Sequence, residues 1–589
     1  MPSNVPKIFF KTVHTCPQKD ALRIYRDDSL LSFSYKECGT KVEKLAKALF
    51  NTGIKAEDRV AILSDNMPEW SLSDLALLSI QAVVVPVYQT LPPQQISYIL
   101  NDASCKAIFV QNTEQYEKII KIQNEVPSLS LIFSFEKINS SILTFDDLID
   151  SVPDDQGSWL SEIIAGIEPE KTCSIVYTSG TTGDPKGVEL NNAGFVHDIV
   201  ESERVLTLYQ DDVFLSFLPL SHLYERLAGH WCPMYRGGTI HYARSIKTVI
   251  EDISIAAPTV MVSAPRLFEK VASAVKDRAA SGNILARMIF AWALSVGFRY
   301  HEKRVSGRAM LLLPLFYKIA WKLVFSKIKK KLGGRFRCPI AGGAPLSVET
   351  LKFFEAIDMR IIEGYGMTEA HLIITLTPPG KTRYGSCGKA IGGVSLKIAD
   401  DGEVLVKGPT VMKGYYNKPE LTSEIIDKEG WLHTGDIGYL DDDNYLYLVD
   451  RKKNIIVTSG GKNVAPAPIE HRLKKSKYIN DICLVGSRRK FISALIIPEA
   501  TELRRWAEDQ GLADLTDNEL CENDLVYLLY QDEINRLQNG LARFEMVKKF
   551  QILEEPLSIE KGEITPSMKI KRTVVEKNYK DLIDRMYDE

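Results

Sequence analysis

The chain has 589 residues, several times the length of a typical domain of about 150 residues, and this length predicts two to four structural units. Hydrophobic residues make up 45% and charged residues 25%, a globular composition that excludes disordered, collagenous and wholly membrane-embedded proteins. The formal net charge is −3, so no global positive field attracts nucleic acid, and we expect no nucleic-acid partner.

The nine cysteines are scattered, with no CxxC pair and no close Cys/His set. This pattern predicts neither a zinc site nor a disulfide framework, and it suits a reducing compartment. The first residues lack the long apolar core of a signal peptide. The sequence therefore predicts a cytoplasmic location.

The first part of the chain alternates between helical and strand-like patterns. Apolar residues recur at helical spacing over residues 36–52, and Gly53 follows where a helix C-cap is expected. Short β-rich runs at 59–64, 82–87 and 106–110 are separated by helix-length segments. Such alternation, which recurs to about residue 375, predicts parallel sheets covered by helices.

Beyond residue 380 the pattern changes to short strands and tight turns. Residues 395–406 contain the dipeptide Asp401-Gly402, a strong signal for a β-hairpin. We predict a β-rich subdomain over about 380–449, a domain boundary at 450–454, and a domain-sized α+β unit over 455–589. The expected fold class is α/β, with a large N-terminal domain of helix-covered sheets over residues 1–449.

Two apolar stretches are candidates for segments that contact or cross a membrane. Residues 75–88 are interrupted by Gln81 and Pro86 and are too short to cross a bilayer, so they predict a buried helix leading into a core strand. Residues 309–325 (AMLLLPLFYKIAWKLVF) are followed by four lysines before residue 332. The segment 309–331 predicts either an ordinary surface helix with its apolar face in the core, or a basic amphipathic helix on an anionic membrane.

The most informative segment is a strand-like run that opens into a loop of glycines, hydroxyls and one lysine, residues 175–188 (IVYTSGTTGDPKGV). Backbone N–H groups, hydroxyl donors and a cation are the groups that bind a triphosphate. The loop is not a Walker A motif, because Lys186 is followed by Gly187 rather than by serine or threonine.

Residues 177–188 resemble the signature of the adenylate-forming superfamily, which includes acyl-CoA synthetases, adenylation domains of peptide synthetases and luciferases. Further motifs resemble those of the family in the right order: AGGAPL at 341–346, EGYGMTE at 363–369, TGD at 434–436, DRKKN at 450–454 and TPSMKIKR at 565–572. LPLSHLYER at 218–226 and a long insert over about 270–337 make the chain most similar to long-chain fatty-acyl-CoA synthetases.

The resemblance implies two half-reactions. The carboxylate of a medium- to long-chain fatty acid attacks the α-phosphate of ATP, giving acyl-AMP and pyrophosphate, and the thiol of CoA then displaces AMP. It implies ATP and CoA as co-substrates, Mg²⁺ as cofactor, and a mobile C-terminal domain. Two alternatives stay open: transfer of the acyl group to a carrier-protein phosphopantetheine, and a non-catalytic membrane-associated protein that binds lipid or nucleotide.

The resemblance also assigns roles to individual residues. The ATP-binding set comprises Thr178, Ser179, Gly180, Thr181, Thr182, Gly183, Lys186, Gly343, Ala344, Gly364, Tyr365, Gly366, Met367, Thr368, Asp436, Arg451 and Lys569. Within it, Thr178 and Glu369 are the expected Mg²⁺ ligands, Tyr365 is expected to stack on adenine, and Asp436 to bind the ribose hydroxyls.

The catalytic set implied by the family is Lys569, Lys186, Glu369 and Lys453. Lys569 is expected to bridge the substrate carboxylate and the α-phosphate, with Lys571 and Arg572 as competing candidates. Lys453 lies at the family's hinge, from which the C-terminal domain is expected to rotate.

Two further assignments concern the acyl and CoA sites. The rotation is expected to withdraw Lys569 and to bring Gly460 and Gly461 to the CoA pantetheine. His222 is expected either to shape the acyl pocket or to be a satisfied structural histidine.

Overall fold

The computed structural model describes residues 3–26, 29–154, 157–178, 184–305, 312–565 and 569–588. The described strands, in chain order, are β1 (Asp20–Arg26), β2 (Ser29–Ser34), β3 (Arg59–Leu63), β4 (Val83–Val87), β5 (Ala107–Val110), β6 (Leu131–Ser134), β7 (Leu143–Thr144), β8 (Thr172–Thr178), β9 (Lys186–Asn191), β10 (Val213–Ser216), β11 (Thr239–Tyr242), β12 (Val260–Ser263), β13 (Cys338–Ala341), β14 (Ile362–Tyr365), β15 (Thr375–Leu376), β16 (Lys389–Ala390), β17 (Ser395–Ile398), β18 (Glu403–Lys407), β19 (Gly414–Tyr415), β20 (Leu432–Leu440), β21 (Leu446–Arg451), β22 (Ile456–Val457), β23 (Asn463–Val464), β24 (Ile479–Val485), β25 (Ile492–Pro498) and β26 (Val547–Ile552).

The α-helices are α1 (Val5–Thr15), α2 (Tyr35–Asn51), α3 (Pro68–Ser79), α4 (Pro93–Asp102), α5 (Thr113–Ile122), α6 (Phe145–Asp150), α7 (Trp159–Ala165), α8 (Asn192–Leu206), α9 (Cys232–Arg236), α10 (Val249–Ala256), α11 (Pro265–Ala280), α12 (Ile284–Val305), α13 (Leu313–Ala320), α14 (Ser326–Lys331), α15 (Val348–Ala356), α16 (Pro419–Ile425), α17 (Pro466–Leu473), α18 (Ala500–Asp509), α19 (Asp517–Cys521), α20 (Asp524–Leu537), α21 (Arg572–Asn578) and α22 (Lys580–Arg585). Glu225–Trp231 and Trp321–Phe325 are π-helical, and three short 3₁₀ turns occur at Gln123–Glu125, Thr368–Ala370 and Lys452–Asn454.

Local sequence signals explain several of these boundaries. α2 begins at a capping box in which Ser34 and Glu37 bond each other's backbone N–H groups, and it is followed by Gly53 at φ +94°. The runs predicted at 59–64, 82–87 and 106–110 form the parallel strands β3, β4 and β5.

Two large sheets lie in the part of the chain before residue 416. The strand order of the first is β16-β15-β14-β13-β12-β10-β11-β1-β2, and that of the second is β19-β9-β8-β4-β3-β5-β6-β7. Alternate residues of β3 lie in different clusters: Val60 and Ile62 belong to the largest apolar core, whereas Ala61 and Leu63 pack on the opposite face with residues of α4 and α5. Both faces of this sheet are therefore covered, as its continuous apolar strands require.

Smaller sheets follow in the second half of the chain. β17, β18, β20 and β21 form a four-stranded antiparallel sheet, and β17 and β18 form the hairpin predicted at Asp401-Gly402. After residue 454 the described chain forms the two-stranded sheet β22-β23 and the three-stranded sheet β24-β25-β26, which carries apolar clusters on both faces. The predicted α/β class is confirmed.

Candidate functional site

A cavity of about 2070 Å³ lies between the N-terminal sheets and the C-terminal elements. Its walls include residues of β8, β14 and the segment after β13, together with His222 and, from the C-terminal part, Lys569. The predicted site residues that line it are Thr178, Lys186, His222, Gly343, Ala344, Gly364, Tyr365, Gly366, Met367, Thr368, Glu369, Arg451, Lys453 and Lys569. One cavity thus brings together motifs that are separated by almost 400 residues of sequence.

The phosphate loop begins at the end of β8. Residues Ser179, Gly180, Thr181, Thr182 and Gly183 lie outside the described residues. On either side of them, Thr178 of β8 pairs with Lys186 of β9 in an antiparallel ladder. The ladder therefore holds the two ends of the loop side by side at the cavity wall.

Lys186 and Glu369 are connected through Tyr415. The Lys186 ammonium lies 4.8 Å from the centre of the Tyr415 ring, within cation–π range. The Tyr415 hydroxyl donates a 3.0 Å hydrogen bond to Glu369 Oε1. Because burial and the nearby Glu369 carboxylate raise the pKa of Tyr415, this hydroxyl keeps its proton and remains a donor.

Asp436 is held by two partners beside the cavity. The Tyr365 hydroxyl donates a 2.6 Å hydrogen bond to Asp436 Oδ2, and Arg451 Nε lies 3.1 Å from Asp436 Oδ1. The pairing of β20 with β21 puts Asp436 directly opposite Arg451. The phenol and the guanidinium fix the orientation of this buried carboxylate. A carboxylate held in this way is preorganised to accept hydrogen bonds from vicinal hydroxyl groups.

Glycines let the backbone close around this pocket. A Cβ on Gly366 would lie 1.3 Å from the Leu372 carbonyl oxygen, so no other residue fits there. Gly343 adopts φ +81°, a left-handed conformation that glycine tolerates without strain. The two motifs therefore present backbone as well as side chains to the cavity.

Lys569 reaches the cavity from a short bridged loop. The loop is closed by a bridge between Ile564 and Ile570, and Lys569 N–H donates a 3.0 Å hydrogen bond to Thr565 Oγ1. The Lys569 side chain is exposed, yet desolvation by the protein around the cavity, followed by the positive charge of Arg451, lowers the pKa of its ammonium. The carboxylates of Asp436 and Glu369 act in the opposite direction.

The two candidates that compete with Lys569 have different environments. Arg572 lies 2.7 Å from Glu470 and also donates to the Leu484 carbonyl oxygen, so it ties α21 to α17 and β24. Lys571 lines the cavity, and its N–H donates to the Glu563 carbonyl oxygen. Arg572 is thus engaged in packing, whereas Lys569 and Lys571 are the lysines of this segment at the cavity.

His222 lines the same cavity with a defined tautomer. Its Nδ1 accepts a 3.1 Å hydrogen bond from the Tyr224 N–H, so the neutral ring carries its proton on Nε2. Burial, followed by the charge of Lys569, lowers the pKa of His222 to about 4. The imidazole is therefore neutral at pH 7 and is a poor acceptor of a proton from substrate.

Lys453 lies in the 3₁₀ turn that follows β21. The preceding Asp450 accepts hydrogen bonds from the N–H groups of Arg451 at 2.6 Å and Ala467 at 2.7 Å. Lys452 is anchored 2.5 Å from Asp401 and 2.9 Å from Glu403. Lys453 follows these two anchored residues and is itself exposed.

Gly460 and Gly461 do not line the cavity in the part of the chain that the structure describes. They form the turn between β22 and β23, where Gly461 adopts φ +70° and its N–H donates to the Thr458 carbonyl oxygen. A Cβ on Gly461 would meet no atom within 4 Å, so the turn borders open space.

Three comparisons with known proteins agree with this geometry. Residues 9–416 match the family described as AMP-binding enzyme, and residues 453–589 match the AMP-binding enzyme C-terminal domain. The chain belongs to the AMP-binding enzyme family.

Relatives of this AMP-binding enzyme cover its whole length. It is 31% identical to the long-chain-fatty-acid–CoA ligase ACSBG1 of Homo sapiens, over 100% of this chain and 86% of the relative. It is also 31% identical to the long-chain-fatty-acid–CoA ligase FadD15 of Mycobacterium bovis, over 94% of this chain and 92% of the relative.

Solved structures share its fold. The adenylation domain of a carboxylate reductase from Mycobacterium chelonae has a TM-score of 0.79 at 22% identity, with 100% of this chain and 91% of that chain covered. A fatty acyl CoA synthetase from Mycobacterium tuberculosis has a TM-score of 0.63 at 21% identity, with 98% of each chain covered. At these identities the likeness establishes the fold.

Sequence reasoning missed Tyr415 in this AMP-binding enzyme. Tyr415 belongs to β19, a two-residue strand on the edge of the second large sheet, and it pairs with Val188 of β9. Its contacts with Lys186 and Glu369 arise from this long-range pairing. The only local signal is a pair of tyrosines after Gly414, which does not distinguish a site residue from a surface one.

Proposed function

We propose that this AMP-binding enzyme activates a medium- to long-chain fatty acid with ATP, forming acyl-AMP and pyrophosphate, and then transfers the acyl group to CoA. The observation that carries this proposal is the meeting of Lys569 with Arg451 and Glu369 in one cavity, beside the Asp436 carboxylate. The long-chain-fatty-acid–CoA ligases to which the chain is similar over its whole length support the choice of substrate.

In the first half-reaction an anionic carboxylate must approach a polyanion. We assign Lys569 to offset the charge that develops between the carboxylate and the α-phosphate, since it is a cation close to the Asp436 and Arg451 pair. Lys186 and the loop 179–183 are assigned to the β- and γ-phosphates. Asp436 is assigned to the ribose hydroxyls and Tyr365 to the adenine face, while the Tyr365 hydroxyl fixes the Asp436 carboxylate.

Thr178 and Glu369 are the residues that would hold Mg²⁺. Magnesium needs only one or two protein oxygens when phosphate and water complete its shell. The described residues contain no group of three or more metal-ligating side chains, and Glu369 lines the cavity with one oxygen held by Tyr415. This donor set fits the ion, which when bound would neutralise charge on the transferred phosphate.

The second half-reaction needs a different arrangement of the C-terminal part. We propose that residues 1–449 form the body and 455–589 a mobile lid, with residues 450–454 as the hinge and about 380–449 as the β-rich subdomain. Two observations support this division: the match to the C-terminal domain family begins at residue 453, after the first match has ended at residue 416, and Gly460 and Gly461 do not line the cavity that holds Lys569. A rotation at Lys453 would bring the two glycines to the pantetheine of CoA.

His222 is assigned a shaping role in the acyl pocket. Its low pKa, lowered to about 4 by burial and then by Lys569, excludes general-base catalysis near neutral pH. With its proton on Nε2, the ring presents a donor and an apolar face to the cavity. Tyr88 packs edge-on against this ring, with the ring centres 6.5 Å apart.

Fatty-acid-dependent release of pyrophosphate tests the proposal. The purified chain is incubated with ATP, Mg²⁺ and a panel of carboxylic acids of increasing length, with and without CoA. We expect release with medium- and long-chain acids, and faster turnover when CoA is present. If a carrier protein rather than CoA raised the turnover, the acceptor would be wrong, and no release with any acid would refute the activity.

We also propose a cytoplasmic enzyme that contacts an anionic membrane through the segment 309–331. Its support is the basic, apolar sequence of that segment. Residues 309–311 lie outside the described residues. Among the described helices, none is long and apolar enough to cross a membrane.

A further inference from the structure

Exposed apolar side chains are concentrated on two neighbouring helices. Of the 28 large hydrophobic side chains that are exposed in the described part of the chain, ten lie between residues 284 and 323. On α12 they are Ile284, Leu285, Met288, Trp292 and Phe298, and on and around α13 they are Leu312, Leu315, Phe316, Ile319 and Leu323. We call these ten side chains the α12–α13 surface.

This surface is separate from the core face of the same helices. Leu313, Tyr317, Trp321 and Val324 pack against a buried cluster that contains Phe325. Leu312, Phe316, Ile319 and Leu323 follow at intervals of four, three and four residues and remain 42–60% exposed. The helix therefore has a second apolar stripe that the fold itself does not bury.

The two helices lie side by side. Tyr300 of α12 stacks on Tyr317 of α13, with the ring centres 4.1 Å apart. Ala293 of α12 and Phe325 belong to the same buried cluster. The exposed residues of α12, which sequence reasoning did not single out, thus extend the surface predicted from 309–331.

The charge of this region is opposite to that of the rest of the chain. Residues 284–335 contain twelve lysines and arginines and one acidic residue, Glu302, which is a net charge of +11. Because the whole chain carries −3, the other residues sum to −14. A strongly basic segment that also exposes leucine, phenylalanine and tryptophan side chains has the composition of helices that lie in a membrane interface.

A depression beside this surface shares one wall residue with the large cavity. Ser273, Asp277 and Ala280 of α11 line the large cavity. Ala280 also borders a second depression, whose other walls include the exposed Ile284 and Met288. The α12–α13 surface therefore meets the cavity system at Ala280.

We propose that the α12–α13 surface docks this enzyme on an anionic lipid bilayer, with α12 and α13 inserting their exposed apolar side chains together. The choice of a bilayer over a protein partner follows from the local charge of +11, which complements an anionic lipid surface, and from the depression that shares Ala280 with the cavity. The inference rests on the proposed function in one respect, because a fatty-acid substrate partitions into bilayers.

Vesicle flotation tests the docking surface. The full chain is mixed with vesicles of phosphatidylglycerol and phosphatidylcholine, or of phosphatidylcholine alone, and centrifuged through a density gradient. We expect flotation with the anionic vesicles, a partition coefficient at least about tenfold lower with the neutral ones, and weaker binding at high salt.

Single substitutions test whether each of the two helices contributes to vesicle binding. Met288→Glu on α12 and Ile319→Glu on α13 are each expected to lower the partition coefficient at least about tenfold. The matched control is Leu528→Glu on α20, an exposed leucine outside the basic region, which should float like the parent. Near-ultraviolet circular dichroism and pyrophosphate release with detergent-solubilised fatty acid verify that each variant is folded and active.

The outcomes distinguish a failure of the proposed docking surface from a failure of the proposed activity. Unchanged flotation of both glutamate variants, or no flotation of the parent, overturns the docking surface while pyrophosphate release still supports the proposed function. Flotation without pyrophosphate release refutes the activity and leaves the docking intact. A lipid-free dimer that Met288→Glu and Ile319→Glu dissociate would show that a second copy, not a bilayer, covers the surface.

Discussion

The ammonium of Lys569, near the C-terminal end of the chain, lies so close to the His222 imidazole that its charge adds to burial in lowering the pKa of the histidine to about 4. The two residues are almost 350 residues apart in sequence and line one cavity. Tyr365 and Arg451, which both contact the Asp436 carboxylate, line the same cavity. This arrangement fits the proposed adenylation, in which a cation must offset the charge of two anions that approach each other.

Removing this cation is expected to separate the two half-reactions. Lys569→Ala should lower the rate of acyl-AMP formation by about 100-fold or more, the usual effect of losing one transition-state donor. Thioester formation from supplied acyl-AMP should remain largely intact, because the proposed rotation withdraws Lys569 in that step. Single-turnover assays of each half-reaction measure both rates, with Lys571→Ala as the control at the same cavity. Equal loss in both half-reactions of Lys569→Ala would refute the assigned role.

The pH dependence of adenylation should report Lys569. Desolvation by the surrounding protein and the charge of Arg451 lower its pKa, so the charged form required by the proposed mechanism is lost as pH rises through that lowered pKa. The rate of adenylation should therefore fall at alkaline pH, and at a lower pH than expected for an ordinary lysine. His222 should cause no change of rate between about pH 5 and 8, because its pKa is about 4. Lys569→Arg should shift the alkaline limb upwards, because arginine stays protonated. A limb at the same pH in both proteins would exclude Lys569 as its origin.

The contact between Asp436 and its two partners predicts how ATP is recognised. Asp436→Asn should lower kcat/KM for ATP by about 10- to 100-fold, the cost of losing a charged hydrogen-bond partner. The parent should discriminate strongly against 2′- and 3′-deoxy-ATP, and the variant should discriminate much less. Asp443→Asn, in an exposed turn of the same sheet, is the control. Unchanged discrimination in Asp436→Asn would show that the carboxylate does not contact the ribose.

The hinge assignment can be tested at one residue. Lys453→Pro fixes φ in the turn after β21 and should slow thioester formation much more than adenylation. Lys453→Ala retains rotational freedom and serves as the control. The ratio of the two half-reaction rates is the readout, and a ratio equal to that of the parent would contradict rotation at this residue.

Buried Glu225 predicts a pH-dependent stability. Burial raises its pKa to about 8 in the folded chain, although the Ser216 hydroxyl acts in the opposite direction. The unfolded chain, with an ordinary glutamate, loses its proton first, so between about pH 4.5 and 8 the parent becomes less stable as pH rises. Glu225→Gln removes this cost, and its Tm should exceed that of the parent at pH 8, with a difference that shrinks towards pH 5. A constant difference across that range would exclude titration of Glu225 as the cause.

Local patterns predicted the helix α2, the strands β3 to β5 and the hairpin at Asp401, because each depends on residues near it in sequence. The resemblance to the adenylate-forming superfamily supplied the site residues, and the structure brings most of the described ones to one cavity. Tyr415 and the engagement of Arg572 with Glu470 could not be predicted, since both result from packing between distant elements. The exposed face of α12 was also missed, because an evenly apolar helix does not reveal which side the fold buries.

Isotope transfer tests the central claim most directly. A long-chain fatty acid labelled with oxygen-18 in its carboxylate is incubated with ATP, Mg²⁺, CoA and the enzyme, and the nucleotide product is analysed by mass spectrometry. Attack of the carboxylate on the α-phosphate, followed by displacement with the CoA thiol, leaves one labelled oxygen on AMP. We predict labelled AMP together with unlabelled pyrophosphate, whereas unlabelled AMP, or label in inorganic phosphate, would contradict acyl adenylation.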